Sequence, residues 1–106
     1  MSNKSAKSRE PSTITQPNIY VKALPLRELT DLALVKDEVK SGNIVILRIT
    51  PLAKKSVEDV KNAINELCAY VGGVGGDIAR LGEERIVITP SPIKIWRREE
   101  HQPFVE

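Results

Sequence analysis

Apolar and polar positions follow a regular order between residues 18 and 97. The stretch NIYVKAL (residues 18–24) alternates as a strand does, and Pro25 is expected to end it. Residues 26–42 place apolar side chains on one side of a predicted helix that stops at Gly42. The apolar positions of this first helix are Leu29, Leu32, Ala33 and Val39.

A second strand and a long helix follow. NIVILRIT (residues 43–50) is an almost continuous apolar run before Pro51, which favours a central strand. Residues 56–71 predict a helix, because Ser56 and Asp59 have the spacing of a capping box. Its apolar stripe comprises Val57, Val60, Ile64, Leu67, Cys68 and Val71.

The C-terminal part predicts strands only. DIARLG and RIVITP flank residues 82–84 and predict a β-hairpin, and IKIWR (residues 93–97) predicts a last strand. The order β-α-β-α-β-β-β predicts an α/β two-layer sandwich, with a five-stranded mixed sheet and two helices on one face. The length of 106 residues fits one core domain, residues 18–97, between polar tails at residues 1–17 and 98–106.

The strands are apolar on both sides. Two helices cover one face of such a sheet, so the sequence predicts a homodimer that buries the other face. The residues predicted to pack at the sheet face of this dimer are Val45, Leu47, Val87 and Trp96.

The glycine-rich stretch AYVGGVGGDIARLG (residues 69–82) raises the question of a phosphate loop. Phosphate loops lead from a strand into a helix N-terminus, whereas these glycines follow a helix and precede a strand. The prediction is therefore structural, with no cofactor. Gly72 or Gly73 would end the helix, Gly76 would permit a close turn, and Gly82 would form the hairpin.

Composition and charge narrow the function classes. A net charge of +2 with scattered basic residues gives little support for nucleic-acid binding. His101, the one histidine, lies in the predicted tail, and Cys68 lies on an apolar helix stripe. Neither metal ligands nor a catalytic base are recognised, so we expect a non-enzymatic, cytoplasmic protein.

The stretches GGDIARLGEERIVITPSPIKI and GNIVILRITPL resemble the SepF family of cell-division proteins. The resemblance covers residues 18–97 and implies a dimerising α/β sandwich. It also implies an adaptor that binds the C-terminal tail of the tubulin-like protein FtsZ and links FtsZ filaments to the membrane. The residues that carry it are Gly76, Ile78, Arg80, Leu81, Gly82, Ile86 to Ile88, Thr89 and Pro90.

The same resemblance implies a peptide-binding site. It assigns Arg80 and Ile86, with Ile78, to contacts with the FtsZ tail, for which an arginine and an apolar notch are suitable chemistry. The helix sequence NAINELCAYVG, without an Asp-Phe pair, points to the archaeal-type branch. Residues 1–17 lack the amphipathic pattern of the family's membrane helix, so they are not expected to bind a membrane.

Two alternatives remain open at this stage. A small nucleic-acid-associated α/β protein would bind with steep salt dependence. A small-ligand regulatory domain would be stabilised by its ligand.

Overall fold

The structure, a computed structural model, describes residues 18–98. The tail predicted at residues 1–17 and its basic residues, together with residues 99–106 and their His101, lie outside the described residues. The strands are β1 (Val21–Pro25), β2 (Ile44–Arg48), β3 (Asp77–Leu81) and β4 (Arg85–Thr89), and the helices are α1 (Leu32–Lys40), α2 (Thr50–Lys55) and α3 (Val57–Val74).

The strands form one mixed sheet in the order β1-β2-β4-β3. β1 and β2 are parallel and joined through α1, while β4 pairs antiparallel with both β2 and β3. This arrangement confirms the predicted α/β class and the β3–β4 hairpin. The predicted strand count is wrong, because the described residues contribute four strands rather than five.

The predicted fifth strand, residues 93–97, has no regular secondary structure and lies outside the sheet. Its main-chain groups bond to turns and side chains instead of a neighbouring strand. The N–H of Ile93 donates to the carbonyl of Pro90, and the carbonyl of Ile93 accepts from the Thr89 hydroxyl. The N–H of Ile95 donates to the Asp77 carboxylate, 2.8 Å away. We call residues 93–97 the C-terminal segment.

The helices differ from the predicted ones both in their number and in their boundaries. Leu29 belongs to a short 3-10 turn (Leu29–Asp31) before α1 and is 38% exposed, and Ala33 is also exposed. The buried side of α1 contains Leu32, Val35 and Val39. Helix α2 was missed because its Thr-Pro was interpreted as a strand end, although proline is favoured in the first turn of a helix.

The long helix α3 begins as predicted and ends later than predicted. The N–H of Asp59 donates to the Ser56 hydroxyl at 3.0 Å, which caps the first turn. The helix continues through Gly72 and Gly73, and Gly75 is the residue that takes the left-handed conformation, with φ of 79°. The assignment of the helix stop to Gly72 or Gly73 is therefore wrong.

The three glycines predicted to be structural have different roles. A Cβ on Gly76 would collide with the carbonyl oxygen of Thr89, so this glycine permits the connection between α3 and β3 to pass close to β4. Gly82 has a φ of 75° in the hairpin turn, as a left-handed position requires. A Cβ on Gly73 would meet nothing within 4 Å, so Gly73 is not required by the packing.

The hydrophobic core lies between the helices and one face of the sheet. Side chains alternate along a strand, so one set of positions points to the helices and the other set points away. We call these the covered face and the open face. The covered-face residues with 0% exposure are Val45, Leu47, Ile86 and Ile88, and they join a cluster with side chains of α1, α2 and α3.

Candidate functional site

A shallow groove between α3 and β3 contains the surface-accessible part of the predicted peptide site. It is lined by Lys61, Ile64 and Asn65 of α3 and by Arg80 of β3, and its volume is about 280 Å³. Arg80 shares the covered side of β3 with Ile78, and its guanidinium donates to the Glu83 carbonyl at 3.3 Å. The groove thus combines one apolar side chain, one amide and two cations.

The groove lies beside a sheet edge. β3 is the last strand in the sheet order and pairs only with β4. An edge strand with a neighbouring groove is the arrangement in which extended peptides add main-chain hydrogen bonds and place alternate side chains into pockets. This geometry fits a peptide better than a compact small molecule.

Two of the three predicted peptide contacts are not at the surface. Ile86 is 0% exposed and Ile78 is 5% exposed, and both belong to the hydrophobic core cluster. A bound peptide cannot reach their side chains without opening the core. Arg80 is the predicted site residue whose side chain lines the groove, and the assignment of Ile78 and Ile86 to peptide contacts stays a prediction that their side-chain burial does not support.

Sequence reasoning missed the α3 side of the groove. Lys61, Ile64 and Asn65 repeat at three- and four-residue spacing along the helix, at the border of its apolar stripe. That spacing places them on one helical side, which is the signal that could have identified them. Their proximity to Arg80 depends on how the helix packs on the sheet, which no local pattern encodes.

An ion pair holds the C-terminal segment beside β3. The Asp77 carboxylate accepts hydrogen bonds from the N–H of Ile78 and Ile95 and from the Arg97 guanidinium, which lies 3.1 Å away. Arg97 also donates to the Ile78 carbonyl at 3.1 Å. We call this pair the Asp77–Arg97 clamp. It occupies main-chain groups of Ile78 at the sheet edge.

Electrostatics agree with a stable clamp. Burial alone would raise the pKa of Asp77, but the hydrogen bonds from Arg97, Ile95 and Ile78 outweigh it and lower the pKa below its usual value. One of the Asp77 contacts is local, because its carboxylate accepts from the N–H of the next residue, Ile78. The partner Arg97 was missed because the two residues are far apart in the chain.

The open face carries a second candidate surface. Ala23 is exposed, and Ile46 and Val87 are half-buried, on neighbouring strands at matching register. Arg48 and Arg85 lie opposite each other at one end. The positions of the open face are Val21, Ala23, Pro25, Ile44, Ile46, Arg48, Asp77, Ala79, Leu81, Arg85, Val87 and Thr89.

This surface corrects the predicted dimer residues. Val45 and Leu47 lie in the core beneath the helices, so their assignment to an uncovered sheet face is wrong. Val87 does lie on the open face. Trp96 belongs to the C-terminal segment rather than to a strand, and its side chain is 81% exposed.

Within residues 18–98, no group of three or more histidine, cysteine, aspartate or glutamate side chains is placed to hold a metal ion. Cys68 is half-buried against the core, and burial raises the pKa of its thiol. A raised pKa disfavours the thiolate, the reactive form. None of the helices in the described range is both long and apolar enough to span a bilayer.

Comparison with known proteins adds a family assignment to this geometry. Residues 21–95 match the family model described as cell division protein SepF. A cell division protein SepF from Haloferax volcanii is 38% identical over 68 residues, a match that spans 64% of this chain and 57% of that protein. The chain thus aligns with little more than half the length of this relative.

Solved structures give the same result for the fold. A SepF-like protein from Pyrococcus furiosus is 34% identical with a TM-score of 0.71, and covers 78% of this chain and 100% of its own. A SepF-like protein from Archaeoglobus fulgidus is 28% identical with a TM-score of 0.70, covering 78% and 99%. Cell division protein SepF from Methanobrevibacter smithii, solved in complex with FtsZ-CTD, is 23% identical with a TM-score of 0.66, covering 74% and 99%.

Proposed function

The chain belongs to the SepF family of cell division proteins, and from this premise we propose that it is a non-enzymatic adaptor. It binds the C-terminal tail of FtsZ in the groove between α3 and β3. It dimerises through the open face and acts at the division site, on the inner face of the cell membrane.

The observation that carries the peptide site is the position of Arg80 and Lys61 around Ile64 beside an edge strand. A protein tail offers main-chain groups to the edge of β3 outside the Ile78 groups held by the Asp77–Arg97 clamp, an apolar side chain to Ile64, and carboxylates to the two cations. Support from the relatives is that the Methanobrevibacter smithii SepF, which shares the fold, was solved with FtsZ-CTD.

A titration with the FtsZ tail peptide tests the site. Saturable binding is expected, and Arg80→Glu is expected to weaken it at least about tenfold, because a favourable charge contact becomes a repulsive one. Arg98→Glu makes the same charge change at an exposed position and is expected to bind like the wild type. Equal weakening by both variants would reject the groove and leave a general charge effect.

The dimer proposal rests on the apolar part of the open face. Val21 is 62% exposed, and Ala23, Ile46 and Val87 extend this apolar surface across the sheet. An uncovered apolar sheet face of this kind is unusual on a monomer and suits an isologous contact. Light scattering on the wild type and on Val87→Asp tests it, and a monomeric mass for the wild type would reject it.

The link to the membrane is proposed for the adaptor as part of a larger assembly. The expected behaviour of this chain with vesicles of anionic lipid is weak association, because residues 1–17 have no apolar stripe. Co-sedimentation with such vesicles measures it. Tight binding would assign a direct membrane contact to the chain.

A further inference from the structure

Arg48 and Arg85 form an unusual pair on the open face. They lie directly opposite each other on β2 and β4, and both are exposed. The N–H of Ile49 donates to the Glu84 carbonyl, so the pair next to it is a non-hydrogen-bonded pair, the type in which facing side chains lie closest. Like charges at such positions destabilise a sheet.

Neither arginine is compensated within the chain as described. Across residues 18–98, the side chains of Arg48 and Arg85 take part in no hydrogen bond or ion pair, whereas the Arg97 side chain is engaged with Asp77. Together they border a shallow cavity of about 240 Å³. Its remaining lining consists of Ala23, Leu24, Pro25 and Ile46. Two guanidinium groups at the mouth of an apolar depression suit an anionic group.

The open face supplies no negative charge that could pair with Arg48 and Arg85. Asp77 is the one carboxylate among the open-face positions, and its oxygens already accept from Arg97 and from main-chain N–H groups. Two copies that stack by this face would bring together four guanidinium groups and no uncommitted carboxylate from the face. Burying charges without partners is costly.

We propose that Arg48 and Arg85 form a binding site for a soluble phosphate-class anion, and that this anion binds together with dimer formation. The inference rests on the proposed dimer. Guanidinium groups donate paired hydrogen bonds to phosphate oxygens, and an anion that binds the dimer better than the monomer shifts the equilibrium toward the dimer. A flat bilayer cannot enter between two stacked sheets, which favours a soluble anion over a lipid headgroup.

Sedimentation equilibrium in phosphate and in chloride at equal ionic strength tests the coupling. Phosphate is expected to lower the dimer dissociation constant about tenfold, the effect of one added charge-assisted contact. The double variant Arg48→Gln/Arg85→Gln is expected to dimerise in chloride at least as well as the wild type and to lose the phosphate response. Arg98→Gln, which removes one exposed charge elsewhere, is expected to keep it.

Several results would overturn the proposal. A phosphate response retained by the double variant would place the anion elsewhere. A dimer weakened by Glu83→Gln/Glu84→Gln and indifferent to phosphate would assign the counter-charge to the hairpin turn of the second copy. Binding to phosphatidylglycerol vesicles that depends on Arg48 and Arg85, without a phosphate effect on dimerisation, would assign the pair to a headgroup.

Failure of the dimer is distinguishable from failure of the site. A wild type that stays monomeric in every buffer would reject the dimer and the coupling. A phosphate titration followed through the arginine Nε–H NMR signals then decides the site alone. Saturable shifts confined to Arg48 and Arg85 would support it, and unchanged signals would overturn it.

Discussion

The two faces of the sheet are built from the same strands but differ in how far their side chains are buried. On the covered face, Val45, Leu47 and Ile86 are 0% exposed and pack beneath the helices. One residue further along the same strands, Ile46 and Val87 are half-exposed on the open face. Hydrophobicity is similar on both faces, so the helices and not the side-chain type determine which face is the core. The buried side chains of the core lie on the covered face, and the open face is the surface proposed for the dimer.

Shortening one apolar side chain on each face is expected to give the largest difference in the free energy of unfolding. Leu47→Ala is expected to lower the free energy of unfolding by about 2–5 kcal/mol, because it leaves a cavity in the core. Ile46→Ala is expected to cost only about 1 kcal/mol in the monomer, since the Ile46 side chain stays partly exposed in the folded monomer and loses less contact with water on folding. Urea unfolding at low protein concentration measures both.

The same pair separates folding from assembly. Ile46→Ala is expected to weaken the proposed dimer more than its small stability cost explains. Equal stability losses for Ile46→Ala and Leu47→Ala in the monomer would show that the open face is covered within the chain, which would contradict the comparison.

Much of the covered face could be predicted from the sequence, because its signals are local. The period of apolar residues located α3, and its Ser56 cap was recognised from the spacing to Asp59. The turn glycine Gly82 located the hairpin. The face of each strand was harder to assign, since Val45 and Ile46 are both apolar and alternation alone does not say which side the helices cover.

The candidate site was predicted in part, for a related physical reason. A family pattern identifies important positions, but it does not distinguish a residue that contacts a partner from a core residue that holds the site in place. Arg80 lies in the groove, whereas Ile78 and Ile86 lie in the core below it. The Asp77–Arg97 clamp joins residues with no shared local pattern, so it became visible only once the C-terminal segment was placed beside β3.

Breaking the Asp77–Arg97 clamp tests a polar contact on the open face. The expected loss of stability is smaller than for Leu47→Ala. Asp77→Asn removes the charge but keeps the shape, and is expected to cost about 1–2 kcal/mol of stability at neutral pH. The exposed residue Asp37 supplies the control, because Asp37→Asn removes the same charge outside the clamp. Urea unfolding of the two variants measures the difference.

The pH dependence of the clamp has a definite sign. The folded-state pKa of Asp77 lies below its usual value, so its contribution to stability is present above the unfolded pKa of about 3.9 and is lost as the pH falls through the folded value. The stability difference between wild type and Asp77→Asn should therefore shrink in acid. A difference that stays constant down to the lowest pH at which the protein is folded would show that the charge does not matter.

The smallest expected effect is a gain in monomer stability. It concerns the end of the open face where Arg48 and Arg85 lie opposite each other. Arg48→Gln removes one of two facing cations, so it is expected to raise the stability of the monomer by about 0.2–1 kcal/mol at low salt. The gain should fade as salt screens the repulsion. Arg98→Gln, an exposed arginine outside the sheet, is expected to change little. A destabilised Arg48→Gln monomer would mean that the arginine stem packs on the apolar depression more strongly than its charge repels Arg85. The open face would then differ from the covered face only in degree, because even its charged residues would contribute to the fold before any partner arrives.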